Sequence, residues 1–343
     1  MSDTGRQSPT LQSVADLAGV HRSTASRALN PATSHMLAAD VVERIRLAAS
    51  SLGYRRDALA AGLRTGRSRL VGVVVPDIAN PVFGPILRGI ESALSEQGHS
   101  VLVANAGQEE DGQAAIVEEF IGRRVDGLIL ATARRDDPVL SLCLAAGVPT
   151  VLVNRLEQGG RVSAVVSDDR AGMRMAVAHL VGLGHRRIGH LAGPQHLSTG
   201  LLRREGFGQG LAEAGLPPGP VEVASAYTRE AGEQAAAALL RRADLTAIVA
   251  ANDLLALGAY RAAQALGLRR PGDLSIVGHN DMPLVDMVEP PLTTVRIRHQ
   301  EMGLEAARLL LREIAERGRA PSLVVTEPLL IVRGSTAAPA PIR

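Results

Sequence analysis

An α/β body behind a small all-α head is the fold this sequence predicts, and three observations predict it. From Leu70 onward, short apolar runs rich in Val and Ile alternate with longer amphipathic stretches. Before residue 55 the apolar residues instead recur at helical spacing. Charge divides near the same place: residues 1–69 carry ten Arg against five acids, and the remaining 274 carry 27 Arg against 30. A basic head on a mildly acidic body suggests a polyanion for the head. At 343 residues the chain has room for two or three domains.

Residues 1–9 read as a disordered tail. The head, 10–56, opens with Thr10, whose hydroxyl can cap a helix. Leu11, Val14, Ala15 and Ala18 follow as one apolar stripe. Gly19 gives a tight turn, Val20 plugs the corner, and a second helix runs from His21 to Leu29, ended by Asn30-Pro31. Ala25, Ala28 and Leu29 face inward. Arg22, Ser23, Ser26 and Arg27 share the opposite face, where two guanidinium groups and two hydroxyls suit a DNA major groove. A plain helical hairpin with a solvated face is the blander reading. Residues 57–69 form a basic linker.

In the body, the runs Leu70–Val75, Val101–Ala104, Gly127–Ala131, Thr150–Val153, Ala164–Ser167, Ile188–Ala192, Ala247–Ala251 and Leu274–Gly278 predict buried parallel strands. Pro85–Glu96, Gly172–Leu183 and Ala231–Leu240 are helical by spacing. Two open sheets are expected rather than one, with no sequence repeat of fixed period. In such sheets ligands lie beyond the carboxyl ends of strands. There stand Asp77, Asn80 and Phe83, then Arg155, Asp168 and Asp169, then Asn252 and Asp253, then Asn280 and Asp281. These groups favour a polyhydroxylated ligand, although Asp and Asn at strand ends also cap helices.

Enzyme classes fare poorly. The sequence contains no Lys, which excludes a Walker loop, a Schiff-base Lys and a Ser-Lys pair. A single cysteine, Cys143, excludes a disulfide scaffold and reads as a buried small hydrophobe. There is no Gly-x-Ser-x-Gly elbow and no His-Glu-x-x-His. The glycines at 206, 208 and 210 follow no strand, so they are no dinucleotide fingerprint. His185, His190 and His196 have no metal-pair spacing and read as turn and surface residues. No enzyme activity, cofactor or metal is expected. No apolar run spans a membrane and Met1–Pro9 is no signal segment, so a cytoplasmic protein is expected.

In order, Thr10–Val20, Ser23–Asn30, Leu52-Gly53-Tyr54, Leu63–Ser68, Val74–Pro81, Arg123–Gly127, Leu183–Ile188, Ala251–Gly258, Pro291–Val295 and Val332–Thr336 resemble the LacI/GalR (lactose-repressor) family. The resemblance covers residues 10 to 336. It implies a transcriptional regulator, a repressor for preference, that binds palindromic double-stranded DNA as a homodimer. It implies a periplasmic-binding-protein-like (type I) doubly wound body with a small-molecule effector between its subdomains. A sugar is the first expectation for the effector; a nucleoside or purine-type corepressor is the other. DNA contacts are implied for Thr10, Arg22, Ser23, Thr24, Ser26, Arg27, Asn30 and Tyr54. A hinge helix over Asp57–Arg64 would wedge Leu63 into the minor groove, unless Ala58–Leu63 is an inert tether.

Effector contacts are implied for Phe83, Phe207, Arg155, Arg203, Asn252 and Asn280, beside Asp77 and Asn80. The sequence departs from the family at His21, usually Ser, and in a longer loop after Asn30. It departs also at Ala38, Val41 and Val42, where a helix cap and backbone contacts are lost. Asp57 and Gly62 depart in the hinge, and Asn280 is often Asp. The expected partition of the body, 70–336, is 70–160 with 291–322 and 161–290 with 323–336. Residues from Thr336 onward, with 337–343 as a disordered tail, read as a frayed end without a leucine heptad.

Overall fold

The computed structural model describes residues 9–54, 67–107 and 110–340. The hinge residues Asp57, Gly62 and Leu63 lie outside the described residues. The chain forms two compact units that meet between Ser68 and Arg69.

The head holds α1 (Leu11–Leu17), α2 (Arg22–Ala28), α3 (Pro31–Ser34) and α4 (Ala39–Ser51). Thr10 and Ser13 form a reciprocal capping box at α1, with the Ser13 N–H donating to Thr10 Oγ1 at 3.2 Å. Gly19 takes φ +62°, a left-handed turn that a side chain would strain. The α2 cap is His21, whose Nδ1 accepts from the Ser23 N–H at 3.3 Å. So His21 does the work of the expected Ser. Pro31 opens α3 as well as closing α2, as suits a residue with no N–H to lose in a first turn. Ala38 gives α4 no side-chain cap. Val14, Ala15, Ala25 and Ile45, all fully buried, close the core.

The body alternates strand and helix: β1 (Leu70–Val75), α5 (Phe83–Glu96), β2 (Ser100–Asn105), α6 (Glu110–Gly122), β3 (Gly127–Leu130), α7 (Pro138–Ala145), β4 (Thr150–Val153) and β5 (Ser163–Ser167). Next come α8 (Asp169–Gly182), β6 (Ile188–Ala192), α9 (Ser198–Glu213), β7 (Val221–Val223), α10 (Arg229–Arg242), β8 (Ala247–Ala250), α11 (Asp253–Ala265), β9 (Ser275–Asn280) and β10 (Thr293–Arg296). The chain ends with α12 (His299–Ala315), β11 (Leu323–Thr326) and β12 (Leu329–Ile331).

Two six-stranded sheets result, ordered β11-β5-β4-β3-β1-β2 and β12-β10-β9-β8-β6-β7. Neighbours are parallel except β12, which runs antiparallel to β10. Both are doubly wound, with order reversing beside β1 and β6.

The partition differs from expectation. β5 and β11 lie in the first sheet, with Val165 beside Val324, and β10 lies in the second, with Thr293 beside Val277. The chain therefore crosses between lobes after β5, after β10 and between β11 and β12. The loop before β5 reads as a boundary locally, but β5 is buried throughout and its outer edge is satisfied by a strand far along the chain. Strands β7, β10, β11 and β12 escaped the sequence pattern. They are three or four residues long, and β7, β11 and β12 sit at sheet edges, partly exposed, with at most three consecutive apolar residues inside their bounds.

The glycines at 206 and 210 serve packing. A Cβ on Gly206 would lie 2.6 Å from the Arg170 carbonyl oxygen, so α9 presses directly on α8. His185 and His190 are buried, against the expectation of turn and surface positions. His185 bonds Thr246 Oγ1 at 2.9 Å and the Ala337 carbonyl at 2.8 Å, and His190 Nδ1 bonds the Val249 carbonyl at 2.8 Å. Partners at both ring nitrogens make a neutral His185 a tolerable core residue, whereas His190 has one at Nδ1 alone and its buried Nε2 has none. The same contacts correct the frayed end: Thr336 reaches His179 at 2.9 Å, and the Ala337 N–H donates to Ser275 Oγ at 3.1 Å. Among the described residues, no helix is long and apolar enough to cross a membrane.

Candidate functional sites

On the head, Arg22, Ser23 and Arg27 are exposed on one face of α2, and Ser26 is half-buried beside them. Ala25 and Ala28 face the core. Two guanidinium groups thus stand on a helix fixed from behind. The Ser23 hydroxyl lies 2.8 Å from His21 Nδ1, which limits how it can turn toward a partner. Thr24 and Asn30 are half-buried, and Tyr54 packs on the head core. Thr10 is exposed at the start of α1, its hydroxyl engaged in the cap.

In the body, a cleft opens at the carboxyl ends of both sheets. One compartment, about 350 Å³ including its mouth, takes Asn80, Phe83, Arg155, Arg203, Asn252 and Asn280, each expected from the sequence. Val82, Asn154, Thr199 and Tyr227 complete its walls. A second compartment, about 700 Å³ including its mouth, shares Asn80, Arg155 and Tyr227 and adds Asp77, Gln113, Thr132, Arg134 and His196.

Backbone geometry fixes several of these groups. Asn154 and Asn280 take φ of +68° and +113°, in a region that Asn tolerates better than most residues with side chains. Asn252 caps α11 by accepting from the Leu255 N–H at 2.9 Å. Arg155 donates from Nη1 to the Thr132 carbonyl at 3.2 Å, while its buried Nε has no partner. Burial, then the neighbouring Arg203 and Arg134, bring its pKa down to about 10, so it stays charged. The buried Asn280 Oδ1 also has no partner. A donor and an acceptor, each short of a hydrogen bond, therefore border one compartment.

Arg203 is held from behind. Its Nε donates to Asp169 at 2.8 Å and its Nη1 to the Ala251 carbonyl at 2.6 Å. Burial pushes the Asp169 carboxyl up, but Arg203 and His279 outweigh it and hold it below the usual range. Asp168, Asp253 and Asp281, unlike Asp77, border neither compartment and are structural. Asp168 caps α8 at Ala171, and Asp253 accepts from Thr294 Oγ1 at 2.6 Å and the Met282 N–H at 2.8 Å. Burial pushes Asp253 up to about 7. Asp281 pairs with Arg296 and Arg333.

Phe207 corrects the sequence expectation. It is 1% exposed and stacks on His190 with ring centroids 4.8 Å apart, in the core beneath the second sheet. It borders neither compartment, because its α9 face turns to the sheet. Tyr227 is the aromatic that the sequence reading missed. It follows β7, an edge strand too short to announce a strand end. Gln113, Arg134 and His196 were also missed, since they lie on helix α6 or in loops without a motif, and so was Thr132, although it directly follows the Gly127–Ala131 run and stands at a strand's carboxyl end. Phe120 packs in the first lobe's core, and Cys143 is buried, its thiol pushed up to about 11 by burial. Among the described residues, no cluster of His, Cys, Asp or Glu could hold a metal.

Paired parallel sheets with a polar cleft at their facing ends give the body the form of a binding-protein fold, and the head is a helix-turn-helix with an exposed basic helix. Residues 177–336 match the periplasmic binding protein-like domain. The regulator MalR of Streptomyces coelicolor is 38% identical over 337 residues, 95% of this chain and 96% of its own. A solved complex of the regulator CelR with cellobiose is 35% identical, with TM-score 0.74, over 95% of this chain and 99% of that one. The Lac repressor dimer, solved on its operator with an anti-inducer, is 29% identical with TM-score 0.86, over 97% of this chain and 100% of that one. The chain belongs to the LacI family of helix-turn-helix transcriptional regulators. Its relatives are regulators, not enzymes.

Proposed function

We propose that the protein is a repressor that grips a palindromic operator as a homodimer in the cytoplasm, and that a sugar in the body cleft changes that grip. The observation that carries the effector reading is the pair of unsatisfied buried groups, Arg155 Nε and Asn280 Oδ1, in one compartment lined from both lobes. An unpaired donor and acceptor are costly in a buried wall, and a ligand hydroxyl can serve either. Asn280 and Asn252 add neutral amides. A ligand touching both lobes binds the closed arrangement better than the open one, and only that difference can shift the equilibrium. On DNA, Arg22 and Arg27 are the candidate base readers, with Ser23 and Ser26 beside them, and Thr10, Thr24, Asn30 and Tyr54 position the head.

A thermal-shift screen of sugars and nucleosides on the full chain, followed by gel shifts on its upstream DNA, tests the reading. A sugar that raises the melting temperature and alters operator affinity supports it. A response confined to nucleosides overturns the sugar reading, and absence of salt-sensitive, sequence-specific DNA binding overturns the regulator mechanism. Arg27→Ala is expected to weaken discrimination at one base pair by about 1–3 kcal/mol. Equal loss on all sequences would show a phosphate contact instead.

A further inference from the structure

Resting on the reading of α2 as the base-reading helix, with Ser23 beside Arg22 and Arg27, we propose that His21 is a further specificity-determining residue. It locks the Ser23 hydroxyl as an acceptor, so that Ser23 selects a base amino group, cytosine N4 or adenine N6, in the major groove. The wiring is local. His21 and Ser23 are both exposed, and His21 Nδ1 lies 3.3 Å from the Ser23 amide nitrogen and 2.8 Å from Ser23 Oγ. A backbone N–H can only donate, so the Nδ1 that receives it carries a lone pair and no proton. The ring hydrogen then sits on Nε2. Toward that lone pair the Ser23 hydroxyl can also only donate, which spends its single hydrogen on His21. What Ser23 keeps for a partner is an oxygen that accepts.

A free serine is ambiguous. Its hydroxyl rotates, so it can donate to guanine O6 or N7 and to thymine O4, or accept from an amino group. Here a ring stops the rotation, and the backbone under that ring is itself fixed. The His21 carbonyl accepts from the Thr24 N–H at 2.8 Å and from the Ala25 N–H at 3.1 Å, and Ala25 is fully buried in the head core. Arg22 and Arg27 carry donors alone. Ser23 stands one helical turn before Arg27 on the same face, so that face sets a fixed acceptor beside a donor. Each base pair shows one amino group in the major groove, on its cytosine or on its adenine. An acceptor therefore does not choose between G·C and A·T. It chooses which strand carries the amino base, a distinction that the guanidinium groups, which seek guanine acceptors, leave open at that pair.

Gel shifts of the full chain on DNA carrying base analogues test this. Selection from a randomised DNA pool, run with the native chain and with Ser23→Ala, marks the base pair whose preference depends on Ser23. At that pair the amino group is then deleted, with purine for adenine or 2-pyrimidinone for cytosine. The deletion is expected to weaken native binding about fivefold and Ser23→Ala binding less than about twofold. Replacing the purine N7 by carbon removes an acceptor instead, and should affect the two proteins equally. His21→Ser keeps a capping oxygen for α2 but frees the Ser23 hydroxyl. Its loss on amino deletion should be at most half the native loss. An amino-group effect that is the same with and without Ser23, or one that survives His21→Ser undiminished, overturns the inference and leaves the DNA reading standing. If Ser23→Ala alters the preference at no pair, Ser23 is not a base contact and the inference falls with that assignment. If the native chain selects no sequence at all, the DNA reading itself fails.

Discussion

A buried ring in this body does structural work wherever it turns its edge from the cleft. Phe207→Ala is expected to cost about 3–5 kcal/mol of stability, seen in urea denaturation, while the folded fraction keeps its effector affinity. Lost affinity at unchanged stability would return Phe207 to the cleft. Histidines carry the second residue-scale prediction. Burial brings His190, His279 and His299 down to about 4, from an ordinary 6.5. Each supports the fold fully above pH 6.5, and that support is lost as pH falls toward 4, up to ~3 kcal/mol apiece. Asp253, raised to about 7, acts oppositely: its support is present near pH 4 and lost as pH rises through 7. Three groups outweigh one, so urea midpoints should fall from pH 7 to pH 5. The fall should be smaller in His190→Leu; an unchanged slope would contradict the assignment.

Helix ends and helix crossings decide local stability at the next scale. α4 begins at Ala38 with no side-chain acceptor for its first N–H groups. Ala38→Ser should add a cap worth about 1 kcal/mol, read as slower hydrogen exchange in the first turn of α4. Unchanged exchange would mean that another group already serves those amides. The crossing of α5 and α12 depends on Gly303, where a Cβ would sit 2.0 Å from the Ile86 carbonyl oxygen. Backbone cannot yield as a side-chain tip can, so this pair fixes how the second segment of the first lobe docks. Helices α1, α2, α5, α8 and α10 were legible from their spacing. The short edge strands were not, because three or four half-exposed residues carry no period of their own.

At the scale of the whole body, direct hydrogen bonds span the cleft. The Leu156 N–H donates to Ser198 Oγ at 2.8 Å, and the Arg135 N–H donates to the His196 carbonyl at 3.1 Å. Each joins a loop of the first lobe to one of the second, so each favours the closed arrangement. Ser198→Ala removes one such bond, worth about 1 kcal/mol. Effector affinity should fall roughly fivefold by titration calorimetry, with effector-free operator binding unchanged. Unaltered affinity would show that this bond makes no difference between closed and open states.

The two lobes share one strand order without a visible sequence repeat. Topology follows from where apolar runs and helices alternate, which many residue choices satisfy. By itself, the sequence determined the helix-turn-helix, the parallel body and most of the polar strand-end residues. Each of these follows from local spacing or from a side chain's place just after an apolar run. Only the tertiary structure decided which lobe owns β5, β10 and β11, that Phe207 packs on His190, and that Tyr227 stands between two compartments. Those facts depend on contacts between segments far apart in the chain, and burial against a distant partner leaves no mark on local periodicity.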